Sequence, residues 1–175
     1  MQEPQSASRV AWLQAGQELL RRGGAPSVKL AALTDELGLT TGSFYYHFKG
    51  IGEFHDALAS FYGREQVDEV LASIAHLGAR ERLTGLMQIA VDKRMRPLSA
   101  AMRDWAGSYP PARAAVLEAD SALLVAMETC FVELGYPSAS ARTRALLFMS
   151  AGVARVHAPW PASHLRDVNI LDVLC

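Results

Sequence analysis

Thr40, Thr41, Ser43, Tyr45, Tyr46 and His47 crowd hydroxyl, phenol and imidazole groups into eight residues, with Lys29 before them and Lys49 just after. Side chains of this kind donate and accept hydrogen bonds, and the two lysines add positive charge. Short hydroxyl residues at the start of a helix, followed by hydrogen-bonding aromatics, suit insertion into a DNA major groove, where base edges and phosphate oxygens lie within reach. Phe44 and Phe48, at i and i+4, define the inward side of that helix. Ser43, Tyr46 and His47 then point away from the Phe pair, with Tyr45 on the flank. A helix this short cannot bury three consecutive aromatic or imidazole rings. Their exposure is costly unless a partner uses it.

The elements that must position these groups are legible just upstream. Leu30, Leu33 and Leu37 fall at i, i+3 and i+7, the apolar stripe of a preceding helix. Gly38 supplies the permissive backbone that lets this helix stop and turn. Thr40 or Thr41 caps the next one. The result is a helix-turn-helix. Helix–Gly–helix corners also occur in ordinary all-α proteins, so it is the polar aromatic face that favours a nucleic-acid partner.

The chain has 175 residues, half of them hydrophobic and a fifth charged, enough for one domain or for two small ones sharing a core. The net charge of −1 advertises no nucleic-acid partner. Residues 1–49 carry five basic against four acidic groups, and the remainder twelve against fourteen. Phosphate contacts must therefore come from local placement rather than from a global basic field. Cys130 and Cys175 offer neither a disulfide framework nor metal spacing, and Cys130 reads as a small packed hydrophobe. Met1 to Ser8 lacks the apolar stretch of a signal peptide, and the run from Ala145 to Ala154 is about half of what a membrane span needs. A soluble cytoplasmic protein is expected.

Helical periodicity covers nearly the whole chain. It predicts helices at about Ser8–Arg22, with Val10, Leu13, Leu19 and Leu20 buried, then the helix-turn-helix pair, then a long helix at about Glu53–Ile74. Further helices are expected at about Ala79–Arg94, at Leu98–Gly107 after Pro97, from Pro110-Pro111 to about Leu134, at Ser138–His157 and at Ser163–Leu174. The fold class is all-α, with about nine helices. Residues 1–50 make a helix-turn-helix domain and 51–175 a regulatory domain.

With these residues on the page, the segment from 9 to 56 resembles the N-terminal domain of the TetR/AcrR family of bacterial transcriptional regulators. The match runs through Arg9, Trp12-Leu13, Ala15, Gly24, Leu33 and Gly38-Leu39-Thr40. It continues through Gly42-Ser43-Phe44-Tyr45-Tyr46-His47-Phe48-Lys49 to Glu53-Phe54. The resemblance implies a homodimeric repressor that binds a pseudo-palindromic double-stranded operator and is released by a small-molecule effector. Two positions depart from the family pattern. Lys29 stands where a Ser or Thr usually begins the second helix, so that either Ser27 caps instead or Lys29 meets a phosphate. Ile51 stands where a Lys usually begins the fourth helix, so that a phosphate contact is either lost or taken over by Lys49. The expected DNA contacts are Lys29, Thr40, Thr41, Ser43, Tyr45, Tyr46, His47 and Lys49.

Beyond residue 50 no catalytic constellation stands out. The histidines are scattered, no metal spacing occurs, and neither an enzyme activity nor a cofactor is expected. Tyr62, Met87, Met102, Trp105, Met127, Phe131 and Phe148 are bulky, adaptable residues that either line a small-molecule pocket or simply fill the core. Leu146, Met149 and Val153, together with Leu165, Val168 and Leu171, offer more than one apolar stripe on the last two helices. One stripe can pack inward and the other against a second copy. Dimerisation is favoured because a single helix-turn-helix reads too few base pairs. The alternative is an all-α ligand-binding or interaction protein of the same fold without operator binding.

Overall fold

The computed structural model describes residues 8–63, 65–92, 94–157 and 170–175, and all regular structure among them is helical. The elements are α1 (Arg9–Gly23), a 3-10 turn (Ala25–Ser27), α2 (Leu30–Leu37), α3 (Thr41–His47), α4 (Ile51–Gly63) and α5 (Glu65–Ile74). They are followed by α6 (Ala79–Val91), α7 (Met95–Ala106), α8 (Pro110–Glu133), α9 (Ser138–His157) and a one-turn α10 (Leu171–Leu174). The helix expected at about 53–74 is covered by α4 and α5, which flank position 64.

Local chemistry explains most boundaries. Ser8 caps α1 by accepting the Ala11 N–H at 3.2 Å, and Arg21 and Arg22 sit in its last turn, where cations oppose the helix dipole. Gly38 ends α2 at φ +64°, a left-handed conformation that glycine adopts without penalty. The Leu39 N–H then returns to the Thr34 carbonyl at 3.0 Å. Of the two threonines it is Thr40 that caps α3, accepting the Ser43 N–H at 3.3 Å. Ser27 does not cap α2. Its hydroxyl donates to the Leu19 and Gly24 carbonyls at 2.7 Å each, and Lys29 begins that helix without a side-chain bond.

Two expectations are corrected. Pro97 does not precede α7 but lies within its first turn, where a helix has no use for the missing N–H. Val10 is 44% exposed, because it belongs to the first turn of α1, which no neighbour covers; Trp12, fully buried, takes the central place instead.

Two apolar clusters share α8. The first joins Trp12, Leu13 and Leu20 of α1 to Leu33, Phe44, Phe48, Phe54 and Leu58, and continues without a gap into Leu98, Met102 and Trp105 of α7 and the first half of α8. The second gathers Leu83 and Leu86 of α6, Met127, Cys130 and Phe131 of α8, Phe148 of α9, and Leu171 and Leu174 of α10. Cys130 is buried as expected, and burial pushes its thiol pKa up. Close approach of α4 to α8 depends on Gly63, since a Cβ there would sit 3.0 Å from the Ala115 carbonyl oxygen.

The α7–α8 corner is fastened to α4. The Trp105 and Tyr109 rings stack at 4.8 Å and 3°, and the Tyr109 hydroxyl donates to Asp56 at 2.5 Å. His55, edge-on to Trp105 at 5.5 Å, places Nε2 2.9 Å from the Val28 carbonyl, just ahead of α2. A second tie runs from Arg21 Nε of α1 to the Arg94 carbonyl at 3.1 Å.

Phe44→Ala should cost about 3–5 kcal/mol in urea denaturation, since it empties the centre of the first cluster. Val10→Ala should change stability by less than about 0.5 kcal/mol. Burial, then the Asp56 hydrogen bond and charge, push the Tyr109 pKa up to about 12. A raised pKa means that the folded state holds its proton longer than the unfolded chain. Stability from this group is thus complete below about pH 10 and declines as pH rises toward 12. Tyr109→Phe should remove one late-forming tyrosinate, near pH 12, from an absorbance titration; an unchanged titration would show that Tyr109 is not a protected phenol.

Candidate nucleic-acid interface and regulatory cavity

Helix α3 is seven residues long and is held by two rings. Phe44 and Phe48 are 0% and 1% exposed. Phe44 meets Trp12 edge-on at 5.4 Å and Phe54 at 5.7 Å, and Phe48 meets Phe54 at 5.0 Å. The Arg9 guanidinium lies over the outer face of Phe48, 4.9 Å from its centroid. These contacts fix the rotation of α3 about its own axis, and hence what it presents to solvent. The turn that follows is braced by the Glu53 carboxylate, which accepts the Lys49 N–H at 2.9 Å.

On the outer side, Tyr46 is 83% and Tyr45 57% exposed. Thr40, Thr41, Lys29 and Lys49 are exposed as well, and His47 is half-buried with its ring edge-on to Tyr46 at 5.0 Å. Ser43 is where the expected face is corrected. Its hydroxyl is buried and has no hydrogen-bond partner. At about 100° per residue Ser43 falls beside Phe44 on the flank of the helix, where its short side chain is covered. The exposed hydroxyls at the start of α3 are those of Thr40 and Thr41. Ile51, partly exposed, opens α4.

Behind this head lies a cavity of about 110 Å³, bounded by α4, α5, α6, α7, α8 and α9. Of the residues expected to line a pocket, Tyr62, Met87, Met127 and Phe148 do so. Met102, Trp105 and Phe131 do not: Met102 and Trp105 belong to the first cluster, and Phe131 to the second. Periodicity could assign them to buried faces but not choose between core and cavity. In the polar part of the wall Asp120 is one of the acidic residues able to orient a ligand, whereas Ser99 and Arg103 were not expected there. Ser99 lies 3.5 Å from the Tyr62 hydroxyl, and Arg103 grips Asp120 through two hydrogen bonds of 2.9 and 2.6 Å. Both helices carry other charged residues, so the sequence alone does not single out this pair.

The residues expected at a dimer interface divide three ways. Leu146 is 50% exposed on α9. Met149 and Val153 line the cavity instead, and Leu171 is buried in the second cluster, because α9 and α10 turn these positions toward α6 and α8. Leu165 and Val168 lie outside the described residues. Exposed apolar side chains in this part include Leu146 and Leu147 of α9, Leu117, Val125 and Val132 of α8, and Val173 of α10. The α8 set went unremarked in the sequence, although its spacing of eight and seven residues is a stripe in its own right.

Among the described residues no three His, Cys, Asp or Glu side chains converge to hold a metal, and no helix is long and apolar enough to cross a membrane. Residues 13–58 match the family model of the bacterial regulatory proteins, tetR family. No curated protein matches the chain by sequence. Among solved structures, the chain is similar to a TetR transcriptional regulator from Legionella pneumophila (TM-score 0.72, 16% identity, covering 87% of this chain and 89% of that one). Salmonella enterica GusR is similar at TM-score 0.73 and 15% identity over 95% and 90% of the two chains. A Saccharomonospora viridis protein in complex with choline is similar at 0.63 and 17% over 95% and 91%. At such identities the solved structures speak for the fold, and it is the fold of a DNA-binding transcriptional regulator with an N-terminal helix-turn-helix. Residues 13–58 thus match the N-terminal domain of the tetR family of bacterial regulatory proteins, and the chain as a whole shares the fold of those solved structures.

Proposed function

We propose that the protein is a homodimeric repressor that grips a pseudo-palindromic operator with two copies of α3 and lets go when a small molecule enters the cavity behind Tyr62. One observation carries the DNA-binding part: Tyr45 and Tyr46 stand exposed on a helix whose opposite side is locked by Phe44 and Phe48. In this reading Thr40 and Thr41 meet base edges or nearby phosphates, and Tyr45 meets a thymine methyl or a phosphate. Tyr46, His47, Lys29 and Lys49 hold the backbone. Ser43 contributes its backbone N–H to the Thr40 cap rather than its hydroxyl to the groove. The protein works in the cytoplasm, by binding rather than by catalysis.

The exposed leucines and valines of α8 and α9 support the two-fold assembly, because together they offer an apolar face on adjoining helices. Two α3 helices about 34 Å apart would enter successive major grooves. The cavity supports the effector, and the choline complex of a protein with the same fold supports a cavity of this kind holding a small molecule. Tyr62 shares α4 with Phe54, which packs beneath α3. A ligand that favours one tilt of α4 thereby favours one spacing of the reading heads. Ile51, in the place of a lysine, favours the second reading, a ligand-binding protein of this fold without operator affinity. An electrophoretic shift with DNA flanking its own gene decides between the two.

Tyr46→Ala should weaken operator binding by about 1–3 kcal/mol without lowering the melting temperature, since its ring packs on no core residue. Wild-type binding should fall steeply with salt as counterions are released, and a salt-independent complex would contradict the phosphate grip. Val125→Glu or Leu146→Glu should yield a folded monomer in sedimentation, because a charge would be buried unpaired across the two-fold. A wild-type chain that is monomeric at micromolar concentration would end the dimer proposal. The effector must bind the operator-loaded protein less tightly than the free protein, by the same factor as it weakens DNA binding; equal affinities would exclude it as the inducer.

A further inference from the structure

Among the described residues the walls of the cavity are apolar apart from four side chains, Tyr62, Ser99, Arg103 and Asp120. Four of the chain's six methionines, Met87, Met95, Met127 and Met149, also face it, which makes the wall deformable and tolerant of shape. Its selectivity must come from the four polar groups. Arg103 and Asp120 neutralise each other through a two-point contact and are three-quarters or more buried, so this part of the wall carries no net charge. An anionic ligand placed there would meet the Asp120 carboxylate, and a cationic one the Arg103 guanidinium, with no other charged residue among the described residues of the wall to compensate.

Hydrogen-bond donors are in surplus at the same place. Arg103 Nε is buried and has no partner. The Tyr62 hydroxyl reaches only as far as Ser99 Oγ, 3.5 Å away, a weak bond at best. Burial pushes the Tyr62 pKa up, so the phenol keeps its proton. A buried donor without an acceptor is destabilising, and a ligand oxygen would relieve it. The volume of about 110 Å³ suits a molecule of single-ring size.

We propose that this cavity selects an uncharged, largely apolar molecule of single-ring size bearing one hydrogen-bond-accepting oxygen, which seats against Arg103 and Tyr62. The proposal deepens the effector reading above and rests on it only in taking the cavity as the ligand site. Three probes of one ring and nearly equal size test it: acetophenone, ethylbenzene and benzoate, titrated calorimetrically into the full chain. Acetophenone should bind about tenfold more tightly than ethylbenzene, and benzoate should bind most weakly. Tyr62→Phe should narrow the acetophenone preference. The paired substitution Arg103→Met with Asp120→Leu removes both charges and leaves neither stranded. It should likewise narrow that preference, since the Tyr62 hydroxyl alone remains to meet the oxygen.

Equal binding of acetophenone and ethylbenzene to the wild-type chain would overturn the proposal, as would tightest binding of benzoate, or saturation by none of the three up to their solubility limits. Operator binding is measured separately. If acetophenone binds in the expected order but the protein ignores DNA, or holds DNA equally well with and without the probe, the repressor reading fails and the ligand class stands.

Discussion

Helix α4 is packed on both sides, and that double duty constrains everything else. Near its start, Phe54 and Leu58 close the aromatic core beneath α3; near its end, Tyr62 borders the cavity and Gly63 presses against the Ala115 backbone of α8. A single helix thereby belongs both to the core beneath α3 and to the wall of the cavity. Close-packed interiors do not deform smoothly, so a change of volume around Tyr62 must be met by repacking or by movement of α4 as a unit. The His55–Val28 and Tyr109–Asp56 hydrogen bonds join α4 to the segment before α2 and to the α7–α8 corner, and the Arg21–Arg94 bond joins α1 to the start of α7.

The surface of α3 follows from what lies beneath it. Phe44 and Phe48 each contact Phe54, and Phe44 also meets Trp12, so the helix cannot rotate without emptying a buried site. Orientation here comes from burial, which is worth several kcal/mol, rather than from surface ion pairs, which contribute little. This is why a seven-residue helix, too short to be stable alone, can present Tyr45 and Tyr46 in a defined direction. The price is a pair of polar atoms left without partners in the packed layer, Trp12 Nε1 and Ser43 Oγ.

In the regulatory part the physical problem is different. Its helices surround a space they do not fill, walled by apolar side chains, four methionines among them, together with Tyr62, Ser99 and one neutral ion pair. A filled core would be more stable. An unfilled one, with unsatisfied donors in its wall, gains stability when a ligand of complementary shape and polarity arrives. Stability and responsiveness are thus set against each other within one set of side chains.

The reading head was legible in the order of residues because its determinants are local. Leucine spacing, Gly38, the Thr40 cap and the Phe44/Phe48 pair all act within one or two helical turns, and each has a single structural consequence. Even there, Ser43 could not be placed, since whether a flank position is covered depends on neighbours far along the chain. Beyond residue 50 the sequence determined helices and their approximate limits, but not which buried residues meet a cavity. Met102 and Met127 have the same chemistry and similar burial, yet only one of them faces the space, because that is decided by how six helices converge. The same holds for Leu146 and Leu171, one exposed and the other buried, and for the Arg103–Asp120 pair, whose partners lie seventeen residues apart on two helices. Periodicity reports that a side chain has an apolar side to face; only the packing of the helices decides what stands there.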